Sequence, residues 1–146
     1  MAEKKTFEVL TADEKAAMKE LAAERKAQAK ATDKREAGTR AVRDAIEKLE
    51  GADRELAERF YELVTENAPD LVPKTYYGMP AFANADDKII VFLQPASKFK
   101  VRYSTIGFEQ PSKLDDKPMW PVSWGITSWT APDEKAFVAT LKKALG

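Results

Sequence analysis

The apolar positions of this chain divide it into a helical first half and a strand-like second half. Between Ala12 and Lys30 only Met18 and Leu21 are large and apolar; the rest is mainly Ala, Lys, Glu, Arg and Gln. These are strong helix formers, so the stretch predicts a helix with a largely solvated, charged surface. Thr11 followed by Glu14 has the form of a capping box at its start. Ala31-Thr32-Asp33-Lys34 reads as a break or weak cap. A second helix then runs from Lys34 or Glu36 to Glu50, with Val42, Ile46 and Leu49 on one face. Gly38 weakens its start, and Gly51 fits the position just past its end. Asp53 reads as the cap of a third helix reaching Asn67. That helix buries a stripe of Leu56, Phe60, Leu63 and Val64, flanked by Tyr61, and stops at Ala68-Pro69.

After that the period changes. Pro73 to Phe82 holds two prolines, one glycine and three aromatic residues, a composition that predicts a rigid, shaped corner rather than a regular element. Lys88 to Leu93 is a continuous apolar run, expected as a strand near the centre of a sheet, and Asn84 to Asp87 before it reads as a hairpin turn. Phe99, Val101, Tyr103 and Thr105 alternate with Lys100, Arg102, Ser104 and Ile106, which predicts a strand with one polar face. Trp120 to Thr127 alternates again. Pro121 cannot donate to a ladder, so this strand belongs at an edge or begins after the proline. The segment between, Phe108 to Met119, reads as a surface loop. Thr130 caps a last helix whose apolar face is Phe137, Val138, Leu141 and Leu145. The pattern therefore predicts an α+β fold. Helices pack on a small antiparallel sheet over residues 34–146, preceded by a charged helical extension over residues 1–33.

Composition narrows the chemistry. The chain has 146 residues, 24 basic and 24 acidic, with no histidine and no cysteine. Disulfides, thiolate catalysis, cysteine zinc sites and a Ser-His-Asp triad are excluded. Any metal would have to be held by oxygen. The balanced charge argues against a nucleic-acid or anionic-membrane partner. No apolar run approaches a membrane span, and Met1 to Phe7 lacks the apolar core of a signal peptide. A cytoplasmic protein is the expectation.

Tyr76-Tyr77-Gly78-Met79-Pro80-Ala81-Phe82, followed by the lysine-led segments Lys88 to Phe92 and Lys98 to Tyr103, resembles the YdhG-like family of uncharacterised bacterial domains. The resemblance spans about Ala52 to Leu145. The charged N-terminal helix and Trp120-Pro121-Val122-Ser123 are similar to an actinobacterial-type branch of that family. The resemblance implies a compact α+β fold. Some members carry the name of a frataxin-like intracellular iron chaperone. Two positions depart from the common pattern. Lys74 or Thr75 stands where many relatives have a glutamate, and Phe99 stands where many have a histidine. Both departures remove groups able to bind metal or transfer protons.

No residue pairing here assembles a nucleophile with a base, so no catalytic residues, cofactor or metal ligands are assigned. Asp86-Asp87 and Asp115-Asp116 read as turn chemistry. The tryptophans read as packing residues, Trp120 and Trp124 in the core and Trp129 over a helix end. The set that points to a ligand is Tyr76, Tyr77, Met79, Lys98, Lys100, Arg102 and Tyr103. If the tyrosines lie over the strand face that carries Lys100 and Arg102, cations and hydroxyls converge in a cleft suited to a small organic anion. The expectation is a non-catalytic binding domain, a monomer or weak homodimer with no nucleic-acid or membrane partner. The alternatives are iron or metal handling, and a protein-interaction module.

Overall fold

A computed structural model describes residues 11–146, apart from the side chains at positions 13, 20, 24 and 27–29. The segment read for a signal peptide lies outside the described residues. Two compact units are distinguished, residues 1–34 and Arg35–Gly146.

Helix α1 covers Ala12–Glu47. Its start is capped as expected, with the Glu14 N–H donating to Thr11 Oγ1 at 3.2 Å. The expected break at Ala31 to Lys34 is absent. Thr32, Asp33 and Gly38 each lower helix propensity by about 1 kcal/mol or less, and long flanks of good helix formers on both sides carry the helix through them.

The first unit, as described, is this charged part of α1, and Met18 and Leu21 are exposed on it.

The second unit is α+β. After the C-terminal part of α1 come α2 (Gly51–Asn67), β1 (Val72–Tyr76), β2 (Met79–Ala83), β3 (Ile89–Gln94), a one-turn helix α3 (Ala96–Phe99), β4 (Ser104–Phe108), β5 (Ser123–Ile126) and α4 (Ala131–Leu145). The five strands form an antiparallel meander in the order β1-β2-β3-β4-β5. Pro73 to Phe82 is thus a hairpin and not an irregular corner. Tyr77 and Gly78 make its two-residue turn, both at positive φ (49° and 74°), the conformation that matches strand twist. β5 is the far edge and begins after Pro121, so both sequence readings of this strand hold. The strand expected over Phe99 to Ile106 survives only from Ser104 onward, and its faces are exchanged: Ser104 and Ile106, expected on the polar face, are buried, while Val101 and Tyr103 are exposed. Lys98 and Phe99 lie in α3, and Lys100 ends α3 in the left-handed region at φ 53°.

Register assigns the two faces. Pro73, Phe82, Val91 and Phe108 align on the inner face, as do Leu93, Ile106 and Trp124. Onto it pack Val42 and Ile46 of α1, Phe60 and Val64 of α2, and Phe137 and Leu141 of α4, all fully buried. Helical and strand periodicities expected most of this core. Trp129, read as lying over a helix end, packs on the core with its ring 5.5 Å from Phe137, its Nε1–H donating to Leu56 O inside α2 at 3.1 Å. Trp120, read as core, is 38% exposed, because it lies in the long loop before β5, ahead of the pleat that aims Trp124 inward.

α1 lies against the outer edge of β1. Arg35 donates to Leu71 O at 3.2 Å, and Gly38 meets the Pro73 carbonyl so closely that a Cβ there would sit 1.9 Å from its oxygen.

Across the helices, Arg59 donates to Glu134 at 2.7 and 3.1 Å. That hydrogen bond holds the Glu134 carboxyl below its ordinary value of 4.5, and Lys143 likewise holds Asp116 below 3.8. A carboxyl depressed in the folded state contributes stability above its unfolded pKa and loses it as pH falls through the folded value. Stability measured by urea unfolding is expected to be flat near neutrality and to decline below about pH 4.5. Glu134→Gln should flatten part of that decline; an unchanged acid limb would show that this pair contributes nothing to it.

Candidate functional site

A cavity of about 700 Å³ opens where the α1–α2 connection meets the β1–β2 hairpin and the start of α3. Asp44, Lys48, Glu50 and Asp53 form the helical wall; Thr75, Gly78 and Pro80 form the hairpin wall; Pro95, Ser97 and Lys98 close it.

Asp53 is the most constrained of these groups, only 8% exposed. It does not cap its own helix. Glu50 occupies the N-cap of α2 and makes no side-chain capping bond. Asp53 instead accepts the Ser97 N–H at 3.0 Å, while Ser104 Oγ accepts the Ala96 N–H at 3.0 Å. The first free amides of α3 are satisfied by an acid from α2 and a hydroxyl from β4, as a short helix end requires. Sequence did hold a signal for this acid. Asp53 precedes Leu56, Ala57 and Phe60 by three, four and seven positions, so it falls on the apolar face of α2. An acid at such a position needs a buried partner.

Lys98 Nζ donates to the Tyr77 carbonyl at 3.2 Å, tying α3 to the hairpin turn. This uses one of its three hydrogens and leaves two for a ligand. Lys48, Asp44 and Glu50 have no ion-pair partner among the described residues. The uncapped, positive end of α2 lies in the same wall.

The seven residues expected to form one site are divided. Lys98 lines the cleft. Met79 is buried, at 4% exposure. Tyr76 belongs to the opposite, outer face of the sheet. Its hydroxyl donates to Glu109 Oε1 at 3.3 Å and its ring lies 5.5 Å from Phe92. Desolvation first, and then the Glu109 charge, raise its pKa above the ordinary phenol value. Tyr77 is 81% exposed, with its ring 4.7 Å from that of Tyr76. Lys100 is exposed at the end of α3. Arg102 stacks on Tyr103 at 5.1 Å, and both are exposed. Lys100 and Arg102 do not share a sheet face because their segment is a helix end and a bend, where the two-residue side-chain alternation does not apply. Asp44, Lys48, Glu50 and Asp53 were absent from the expected set, since they come from a helix connection far away in sequence.

Among the described residues, no three acidic side chains converge on a point that could hold a metal ion. Asp87 pairs with Lys74 at 3.1 Å and Asp116 with Lys143. Asp86 and Lys88 both donate their N–H groups to Asn84 Oδ1 at 3.0 Å, so the turn chemistry expected of Asp86 and Asp87 is supplied by Asn84. No helix among the described residues is long and apolar enough to cross a membrane. No family model, curated protein or solved structure matches the chain.

Proposed function

We propose that this chain is a cytoplasmic, non-catalytic domain that binds a small organic anion in the cleft between the α1–α2 connection and the β1–β2 hairpin, and that it is a YdhG-like domain. The observation that carries the reading is the convergence on one cavity of Lys98, Lys48 and the uncapped end of α2. A carboxylate or phosphate is the group these partners recognise. Asp44 and Glu50 on the same wall suit a ligand that also carries a donor, such as an amino or hydroxyl group. The cleft's volume falls in the range of small-molecule sites. The Tyr-Gly-Met-Pro motif that suggests the family builds the hairpin wall of this cleft, which ties the resemblance to the ligand reading.

An amide-resolved NMR titration with hydroxy acids, amino acids and phosphate esters tests this. The expected result is saturable shifts at Asp53, Gly78, Ser97 and Lys98, with affinity at least about tenfold lower in Lys98→Met, the loss of one charge-assisted hydrogen bond. Absence of saturable shifts at these positions into the millimolar range, or full affinity in Lys98→Met, would overturn it.

A further inference from the structure

The opposite face of the sheet carries a cavity of different character. It encloses about 550 Å³ between the outer face of β3 and β4 and the loop that leads into β5. Phe92 and Trp120 supply aromatic surface, Thr105 and Ser123 supply hydroxyls, and Glu109 and Asp115 are its only charged residues. No lysine or arginine lines it.

We infer that this outer-face cavity is a second ligand site, selective for a small organic cation such as an alkylammonium or quaternary ammonium group. An ammonium group is attracted to aromatic faces by the ring quadrupole, and most strongly to tryptophan. Two carboxylates without a balancing cation reinforce that preference. Neither Glu109 nor Asp115 has an ion-pair partner among the described residues. Lys74, in the same cross-strand row as Phe92, is turned to Asp87 at 3.1 Å.

The site is also held in shape. Phe92 lies across Gly107 of the neighbouring strand, where a Cβ would come within 2.3 Å of the ring. Only glycine lets the ring lie flat on the sheet at that point. On its other side the Phe92 ring meets Tyr76. The Tyr76 hydroxyl, kept protonated at neutral pH, orients Glu109. An anchored ring beside an oriented carboxylate loses little conformational entropy when a cation binds.

The test is calorimetric and NMR titration of the full chain with choline, with butylamine and with the uncharged tert-butyl analogue of choline. Choline or butylamine should give saturable shifts at Phe92, Glu109 and the Trp120 indole, and the uncharged analogue should bind at least about tenfold more weakly. Glu109→Gln should weaken cation binding by about tenfold without lowering the melting temperature. Lys98→Met should leave cation binding unchanged, which separates this site from the cleft on the helical side. Equal binding of the uncharged analogue, no saturable response to either cation, or full affinity in Glu109→Gln would overturn the assignment.

Discussion

Gly38→Ala is expected to destabilise the protein by roughly 3 kcal/mol, through steric overlap that no side-chain rotation can relieve. The sign makes this a sharp test. In a solvated helix, replacing glycine with alanine stabilises by about 1 kcal/mol. Here the added Cβ would sit 1.9 Å from the Pro73 carbonyl oxygen and 3.0 Å from its carbon. Both are backbone atoms of β1, so either α1 lifts away or the edge of the sheet moves. Lifting α1 also strains the bond from Arg35 to Leu71 O and the seating of Val42 and Ile46, which are fully buried. Chemical denaturation should show the loss, together with a melting temperature lower by about 10 °C. An Ala variant as stable as the parent, or more so, would mean that α1 does not rest on β1 at this point.

Phe137→Ala should cost more, about 4 kcal/mol. Phe137 is 1% exposed and stands where the helices meet the inner sheet face. Its ring centroid lies 5.8 Å from Phe60, 6.4 Å from Phe108, 6.2 Å from Trp124 and 5.5 Å from Trp129. Truncation removes the shared member of four aromatic pairs and leaves a cavity that rigid rings cannot collapse to fill. Phe137→Leu keeps most of the volume and should lose about 1.5 kcal/mol. Equilibrium urea unfolding of the two variants measures both. A loss below about 2 kcal/mol for the alanine variant would indicate that the neighbouring rings close the gap, contrary to the packing described.

The two predictions differ in how far residue order alone anticipates them. Phe137 is legible: with Val138, Leu141 and Leu145 it marks one face of a helix, and of that face Phe137 and Leu141 are buried while Leu145 is exposed. The same holds for Phe60, Leu63 and Val64 of α2, and for Ile89 to Leu93 as a central strand. Thr130 is equally local. It accepts the Asp133 N–H at 3.3 Å, as its place before Pro132 and two acids suggests. Gly38 is not legible. In sequence it is a residue that weakens a helix, and its requirement comes from a carbonyl thirty-five positions later.

The candidate site divides in the same way. Periodicity states which side of an element is buried but not what covers it. It could therefore place Phe92 in a strand while leaving unsaid that Gly107 lies beneath its ring. The alternation from Phe99 to Ile106 satisfies a strand pattern, yet α3 takes its first residue. The amides of that turn find partners in Asp53 and Ser104, and the Asp53 contact spans forty-four positions. Side chains expected to converge, Tyr76 with Lys100 and Arg102, lie in different settings because the hairpin sends Tyr76 to the outer face. Local order thus carries the long helices, β3, β5 and most of the core that covers the sheet, since these follow from the side-chain repeat of each element, but not the β1–β2 hairpin or the one-turn α3. Which charges share a cleft, and which ring lies over which glycine, follows from how the elements dock, and docking is settled by long-range packing that no local repeat encodes.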